Sequence, residues 1–250
     1  MATPALPAHL RELTLTLPDG ASTSAYVATH PLATTRVRIH RLPELTPLGA
    51  WCAQTNTEEA LVGGFYLREP VPLPLGDLWT DGVVQPSVPF LSPWNTKRAC
   101  VHVTAGGEVC IARREDLPGA PTGDLLQAGP LLVRNGERVT GDDEGFSAGA
   151  AQFDSDITEG RHPRAALGTD GTDLIALVCD GRADDDAGLT IDELATAMLE
   201  LGARDALNLD GGGSTSLVCG GALRNVPRES HGLPVPGGRA IATAIVFTAP

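Results

Sequence analysis

The chain has few aromatic residues and few positive charges, and both shortages exclude classes of function. Aromatic residues make up only 4% of the 250 residues, which argues against a stacking platform for single-stranded nucleic acid. The 18 Lys and Arg residues are outnumbered by 31 Asp and Glu residues, which gives a net charge of −13. Because nucleic acids and anionic membranes attract clustered Lys and Arg, we expect no partner of either kind.

The sequence also lacks the patterns that mark zinc, disulfide and membrane proteins. It has five cysteines, an odd number, and no two of them form a Cys-x-x-Cys pair. No stretch reaches the roughly 18–20 apolar residues that a membrane helix requires. The first residues show neither the basic segment nor the apolar core of a signal peptide. We therefore expect a cytoplasmic protein with no metal site and no cofactor, of unknown oligomeric state.

Short apolar and alternating runs separated by turn residues predict a strand-rich α+β fold with a mixed or largely antiparallel sheet and few helices. The predicted strands are residues 13–17, 26–29, 36–40, 60–66, 100–104, 108–112, 131–133, 164–168, 173–179, 206–209 and 240–247. The run 173–179 is apolar throughout its centre, so we expect both of its faces to be buried. Residues 70–93 are rich in proline and predict a loop, whereas residues 51–56 are ambiguous.

One helix is predicted over residues 191–201. Thr190 precedes it and Glu193 lies three residues further on, which is the pattern of a capping box. Gly202 stands where a glycine often ends a helix. Nothing in the sequence resembles a linker or a repeat, so we predict a single domain over residues 1–250.

Gly106-Gly107 predicts a two-residue hairpin turn between the strands 100–104 and 108–112. In that register Val103 lies opposite Cys110, and Cys100 lies on the other face of the hairpin. We therefore expect no disulfide between the two cysteines.

A carboxylate followed by three glycines is the strongest candidate for a functional site. The predicted strand 206–209 runs into Asp210, which is followed by Gly211, Gly212, Gly213, Ser214, Thr215 and Ser216. Glycine permits a close approach of other groups to the backbone, and successive N–H groups in such a turn can bind an anion. Asp210 at the mouth of this turn indicates chemistry on a substrate whose other end is negative. The alternative is a tight turn in which Asp210 bonds its own backbone.

Two further polar clusters lie at the ends of predicted strands. His162-Pro163-Arg164 precedes one strand, and Asp180-Gly181-Arg182 follows the buried one. For Arg182 alone, a surface salt bridge to the acidic run 184–186 is the simpler interpretation. The three clusters together favour a site, because rigid strands hold functional side chains in place.

The order and spacing of these segments resemble the phosphodiester glycosidase family. The resemblance is carried by Gly63-Gly64-Phe65-Tyr66, Gln127-Ala-Gly-Pro130, His162–Gly168, Asp180-Gly-Arg182, Gly188–Ala195, Gly202–Thr215, Asn225-Val-Pro227 and Arg239. It covers residues 63–250, whereas residues 1–62 match weakly.

The resemblance implies an enzyme that hydrolyses a sugar-1-phosphodiester to the free sugar, N-acetylglucosamine-like, and a phosphomonoester. Its partner would be a small-molecule or glycan phosphodiester. The implied catalytic residues are Asp210, Asp180, Arg182 and Arg164, and the implied substrate-binding residues are Gly64, Gln127, His162, Gly211, Gly212, Gly213, Ser214, Thr215, Asn225 and Arg239. Asp210, with Asp180 as second choice, would act as nucleophile or general base. Arg164 and Arg182 would hold the phosphate, since a guanidinium binds phosphate through two parallel hydrogen bonds.

Two other functions remain open on the sequence. One is a phosphoglycan-binding module without catalysis. The other is a phosphodiesterase that uses bound metal ions, for which the acidic run 184–186 could supply ligands. A run of consecutive acidic residues is more typical of a solvated turn.

Overall fold

The computed structural model describes residues 9–68, 70–139 and 160–250. Its helices are α1 (Leu48–Thr55), α2 (Trp94–Lys97) and α3 (Ile191–Glu200), and short 3-10 turns occur at Leu32–Thr34, Arg114–Asp116 and Gly212–Ser214. Its strands are β1 (Leu10–Thr16), β2 (Ser22–Pro31), β3 (Arg36–Pro47), β4 (Ala60–Val62), β5 (Tyr66–Leu67), β6 (Leu73–Pro74), β7 (Leu78–Thr80), β8 (Val83–Val84), β9 (Ala99–Val103), β10 (Val109–Arg113), β11 (Asp124–Gln127), β12 (Leu131–Arg134), β13 (Glu137–Arg138), β14 (Arg164–Thr169), β15 (Asp173–Cys179), β16 (Asp205–Asn208), β17 (Leu217–Cys219), β18 (Ala222–Leu223) and β19 (Ala240–Thr248).

The strands form three larger sheets, and neighbouring strands in each of them run antiparallel. A seven-stranded sheet has the order β1-β2-β15-β14-β16-β12-β13. Two five-stranded sheets have the orders β10-β9-β11-β7-β8 and β18-β17-β4-β19-β3, and β5 pairs with β6. The predicted α+β class, strand-rich and largely antiparallel, is confirmed. Among the described residues, no helix has the length and apolar character needed to cross a membrane.

The seven-stranded sheet is buried on both faces because its central strands are apolar on both sides. In β15, Leu174, Ala176 and Val178 pack into the core between the sheets. Ile175 and Leu177 of the same strand face a second core. The prediction that this strand has two buried faces is therefore confirmed.

Helix α3 covers the second core; it begins at the predicted Ile191 and ends at Glu200, one residue before the predicted end. Thr190 accepts a hydrogen bond from the Glu193 N–H at 3.1 Å, and the Glu193 side chain bonds the Thr190 N–H at 2.9 Å. Gly202 follows the helix with φ +91°. Met198 is fully buried, which contributes about 1.5–3 kcal/mol. A Cβ at Gly168 on β14 would lie 2.6 Å from Met198 Cε and 3.1 Å from Asp205 O, so a larger residue there would force the Met198 side chain to shift.

Three local predictions differ from the structure. Residues 51–56, which were ambiguous, belong mostly to α1, and that helix ends where Asn56 takes a left-handed φ of +54°. The predicted loop 70–93 contains the short strands β6, β7 and β8.

The hairpin register was wrong by one residue. Val103 pairs with Val109, and His102 pairs with Cys110. The cause is a three-residue loop, closed by a hydrogen bond from the Thr104 N–H to Glu108 O at 2.9 Å, in which Gly107 adopts φ +88°. Cys100 and Cys110 therefore share one face of the hairpin. Both are free thiols.

Candidate active site

Asp210 lies at the end of β16 with its carboxylate almost fully enclosed. The Asp210 N–H donates to Gly63 O at 3.0 Å, and the Gly211 N–H donates to Asp210 Oδ1 at 2.9 Å. The side chain is 6% exposed. Burial raises the pKa of Asp210 to about 6, although the nearby Ser214 hydroxyl and Arg239 oppose that rise. The turn in which Asp210 bonds its own backbone is therefore present, and it holds a carboxylate that titrates near neutral pH.

The glycines after Asp210 are required by close contacts. A Cβ at Gly211 would lie 2.9 Å from Pro163 O, and a Cβ at Gly213 would lie 3.1 Å from both Arg239 Nη2 and Glu229 Oε1. Gly212 has φ +60°. The backbone thus reaches both a neighbouring strand and a charged pair, as the sequence of glycines indicates.

Positive side chains surround Asp210. Arg239 and Arg68 both lower its pKa, so both guanidinium groups lie close enough to stabilise the ionised carboxylate. Arg239 donates to both carboxylate oxygens of Glu229, with Nε 3.0 Å from Oε1 and Nη2 bonded to Oε2. The Tyr66 hydroxyl donates to Ala240 O at 2.7 Å, and burial, followed by the charge of Asp210, raises the pKa of Tyr66. The site therefore combines one buried carboxylate with cations that could bind an anion.

Sequence reasoning missed Arg68, Tyr66 and Glu229 as members of this site. Tyr66 and Arg68 follow Gly63-Gly64 directly, and Glu229 lies two residues after Pro227. The only signal in the sequence is that these residues lie in or beside segments that resemble the family. Their meeting with Asp210 depends on pairing between distant strands, which spacing along the sequence does not reveal.

The three predicted polar clusters meet through their backbones. The Gly212 N–H donates to Pro163 O at 2.9 Å, and a Cβ at Gly181 would lie 2.8 Å from Pro163 N. Arg182 has a left-handed φ of +62°. The pKa of Glu229 is lowered mainly by its hydrogen bond with Arg239, and the charge of Arg182 adds to this effect. The segments at Pro163, Gly181 and Gly212 are therefore direct neighbours.

His162 and Arg182 contact each other within this arrangement. Arg182 Nη2 lies 3.3 Å from His162 Nδ1, and Arg182 Nη1 donates to Arg228 O at 3.1 Å. The backbone of His162 exchanges two hydrogen bonds with Leu189, at 3.1 and 3.0 Å. The main chain thus holds His162, and the ring of His162 orients Arg182.

Arg164 is placed differently from Arg182. Its side chain is 1% exposed, and it donates from Nε to Leu189 O at 2.9 Å and from Nη2 to Gly160 O at 3.1 Å. Burial lowers the pKa of Arg164 to about 10. Bonds to main-chain carbonyls fit a supporting role for Arg164 better than direct phosphate contact.

Asp180 is a second buried carboxylate with a raised pKa. It is 3% exposed, and burial raises its pKa to about 6. Its Oδ1 accepts from the Val226 N–H at 2.7 Å, and its backbone carbonyl accepts from Thr23 Oγ1 at 2.8 Å. Tyr26 also bonds the carboxylate and lowers its pKa. Asp180 thus bonds β2 and the segment at Val226, whereas Asp210 feels the charges of Arg239 and Arg68.

Two predicted binding residues have amide groups that are bonded to the main chain. Asn225 accepts from the Leu217 N–H at 3.1 Å and donates to Thr215 O at 2.9 Å. Gln127 accepts from the Asp77 N–H at 3.0 Å and donates to Asn95 O at 3.0 Å. Both side chains therefore brace loops.

Gly64 and the hydroxyl residues complete the set of predicted positions. A Cβ at Gly64 would lie 3.1 Å from Gln127 O, so this glycine allows two segments to approach closely. The hydroxyls of Thr215 and Ser216 are fully buried and make no hydrogen bond within the part of the chain that the structure describes. Such groups beside Ser214 are unusual, because a buried hydroxyl normally finds a partner.

Comparison with known proteins identifies the family. The model of the phosphodiester glycosidase family matches residues 55–248. The chain therefore belongs to the phosphodiester glycosidase family. The family model begins to match eight residues before Gly63, where the resemblance in the sequence begins. No curated protein sequence matches this chain.

Solved structures share the fold at low sequence identity. The catalytic domain of zebrafish N-acetylglucosamine-1-phosphodiester α-N-acetylglucosaminidase, auto-inhibited by its pro-peptide, has a TM-score of 0.73 at 20% identity, with 99% of this chain and 85% of that one covered. A hypothetical protein from Synechocystis has a TM-score of 0.70 at 17% identity over 96% of this chain. This chain spans 62% of the length of the Synechocystis protein. A protein from Burkholderia pseudomallei has a TM-score of 0.64 at 15% identity, with 94% of this chain and 75% of that one covered.

Proposed function

We propose that this chain hydrolyses a sugar-1-phosphodiester at the bond between the anomeric carbon and the phosphate oxygen. The products are a free sugar and a phosphomonoester. Membership of the phosphodiester glycosidase family supports this reaction class. The sugar proposed is N-acetylglucosamine-like, by analogy with the zebrafish enzyme whose name carries that sugar.

The single observation that carries the proposal is the buried Asp210 carboxylate with two guanidinium groups beside it, those of Arg68 and Arg239. Cleavage of a glycosidic bond passes through an oxocarbenium-like transition state, which a carboxylate stabilises. The departing phosphate gathers negative charge, which fixed cations stabilise. The site therefore offers the two opposite charges that the two halves of the breaking bond require.

A strong general acid is less necessary for this reaction than for an ordinary glycosidase. The leaving phosphate is a weak base and needs cations and N–H donors more than it needs a proton. In this proposal Asp210 acts as nucleophile or general base, and a pKa of about 6 leaves it mostly ionised at neutral pH. Arg239, Arg68 and Arg182 bind the phosphate. The N–H groups of Gly211 and Gly212 take no part, because they already donate to Asp210 Oδ1 and Pro163 O.

The remaining predicted residues take supporting roles in the proposal. Arg164, Asn225 and Gln127 hold the surrounding loops through their bonds to the main chain. His162 orients Arg182. The hydroxyls at Ser214 and Thr215 are donors for sugar or phosphate oxygens. Asp180 is kept as the second-choice carboxylate, because its pKa is also raised to about 6.

The test is a panel of nucleotide-linked and aryl-linked sugar-1-phosphodiesters, with free sugar and phosphomonoester identified among the products. We expect turnover by the native chain and a loss of at least about a hundredfold in kcat for Asp210→Asn. Asp184→Asn removes an equal charge at an exposed position and should leave the rate unchanged. Substrate bound without turnover would instead favour a binding module. Activity lost on adding chelator, with sugar-1-phosphate among the products, would favour a metal-dependent phosphodiesterase.

A further inference from the structure

Two histidines and a glutamate gather away from Asp210, although they are far apart in the sequence. His9 lies just before β1, His30 lies on β2, and Glu59 lies just before β4. One possible ligand atom from each lies within 4.8 Å of the others. The Cys219 thiol at the end of β17 lies 3.2 Å from His9 Nε2. Imidazole, carboxylate and thiolate are the groups that bind zinc in proteins.

The spacing of these atoms suits a single tetrahedral ion. His9 Nε2 is 3.1 Å from Glu59 Oε2 and 3.2 Å from Cys219 Sγ. Two ligands at about 2.0–2.3 Å from a tetrahedral zinc ion are roughly 3.3–3.7 Å apart. A modest adjustment would therefore place these donors around one ion, with His30 completing the set.

An ion pair between His9 and Glu59 explains only part of this arrangement. His30 is 6% exposed, and its Nε2 has no hydrogen-bond partner among the described residues. Glu59 Oε2 is also buried and makes no hydrogen bond of good geometry there. Buried polar atoms are normally bonded, so the unbonded His30 Nε2 beside the His9–Glu59 ion pair points to a missing ligand.

The scaffold holds these side chains firmly. The His30 ring stacks on Phe247 with centroids 4.2 Å apart and an interplanar angle of 11°. Glu59 Oε1 accepts from the Gly220 N–H at 2.7 Å. The backbone carbonyl of His9 accepts from the Thr29 N–H at 3.0 Å. Metal ligands in proteins are oriented in this way by outer contacts.

We propose that His9, His30, Glu59 and Cys219 bind one zinc ion that ties the β1 edge of the seven-stranded sheet to the sheet containing β4 and β17. The Cys219 thiol loses its proton on binding, as a thiolate ligand must. The role is structural, because four protein ligands would fill the tetrahedral positions of the ion and leave none open for water or substrate. The proposal stands independently of the proposed function.

The first test is zinc titration of chelator-treated, dialysed protein, followed by calorimetry and thermal unfolding. We expect one equivalent of zinc to bind, and the melting temperature to rise by roughly 5 °C or more at a hundredfold excess over Kd. His9→Gln and Glu59→Gln should each weaken zinc binding by about tenfold to a hundredfold or more. His231→Gln, at an exposed histidine, should bind zinc as the native chain does. No binding by the native chain, or equal binding by all variants, would overturn the proposal.

A second measurement begins with the native chain, so its first result does not depend on how any variant folds. Cobalt bound to the native chain should give the intense visible bands of a tetrahedral site and a thiolate-to-cobalt charge-transfer band. Cys219→Ser should lose the charge-transfer band, whereas Cys110→Ser, at an exposed cysteine, should keep it. A six-coordinate cobalt spectrum without that band would overturn the proposed ligand set.

Discussion

Replacing Asp210 with asparagine should make the protein more stable at neutral pH while it abolishes catalysis. Burial holds the pKa of this carboxyl at about 6 in the folded chain, against 3.8 for an unperturbed group. The folded state therefore binds the proton more tightly than the unfolded state does, and stability falls as the pH rises from about 4 to about 6. Asparagine resembles the protonated carboxyl and should escape this loss. Its oxygen can still accept the bond from the Gly211 N–H.

The magnitude follows from the difference between the two pKa values. A difference of one between the folded and unfolded pKa values corresponds to about 1.4 kcal/mol. A rise of about two therefore lowers the free energy of unfolding by roughly 3 kcal/mol at pH 7 and by less than about 1 kcal/mol at pH 4. We therefore expect the free energy of unfolding of Asp210→Asn to exceed that of the native chain by up to about 3 kcal/mol at pH 7, and by little at pH 4.

Urea unfolding of both proteins at pH 4, 6 and 7 measures this difference. Asp184→Asn serves as the control, because it removes a charge from an exposed position and should show no such change with pH. If Asp210→Asn is less stable than the native chain at pH 7, or if its advantage is the same at every pH, then the carboxylate is not destabilised by burial and the reasoning is refuted.

Four other variants or conditions separate catalytic from supporting roles. Arg239→Lys breaks the two-point bond to Glu229 and should lower kcat/KM by about tenfold to a hundredfold, as steady-state kinetics will show; an unchanged value would remove Arg239 from phosphate binding. Arg164→Met removes two hydrogen bonds from a buried guanidinium to main-chain carbonyls and should lower the free energy of unfolding by about 3 kcal/mol with little change in KM, whereas a raised KM at native stability would restore direct phosphate contact. Thr190→Ala removes the cap of α3 and should lower the free energy of unfolding by about 1 kcal/mol in urea. The plot of kcat/KM against pH should rise through about pH 6 as Asp210 ionises; a flat profile would assign the carboxylate no ionised role.

The sequence predicts most of the fold because its strands obey simple patterns. The apolar run at Asp173–Cys179 forms a strand, and the capping box at Thr190 begins a helix, as the local patterns predict. The predicted hairpin register is wrong because a turn of two or three residues fits the same glycines. A two-residue turn would need a positive φ at Gly106, whereas of these two glycines only Gly107 has one. Helix α1 was not predicted because it is short and weakly amphipathic.

The candidate site was predictable only where its residues are close in sequence. Asp210 and the glycines that follow it indicate a site, because a carboxylate and a tight turn occur together. Whether an arginine faces the substrate or the main chain is decided by burial, so Arg164 and Arg182 look alike in the sequence. The His9, His30 and Glu59 cluster was invisible, because three separate strands bring its members together.

Hydrolysis of a sugar-1-phosphodiester in water enriched in the heavy oxygen isotope tests the proposed chemistry most directly. If a carboxylate acts at the anomeric carbon while cations stabilise the departing phosphate, the bond from carbon to oxygen breaks and the isotope enters the free sugar. Isotope found in the phosphomonoester would mean that water attacked phosphorus, and the role assigned to Asp210 would be wrong.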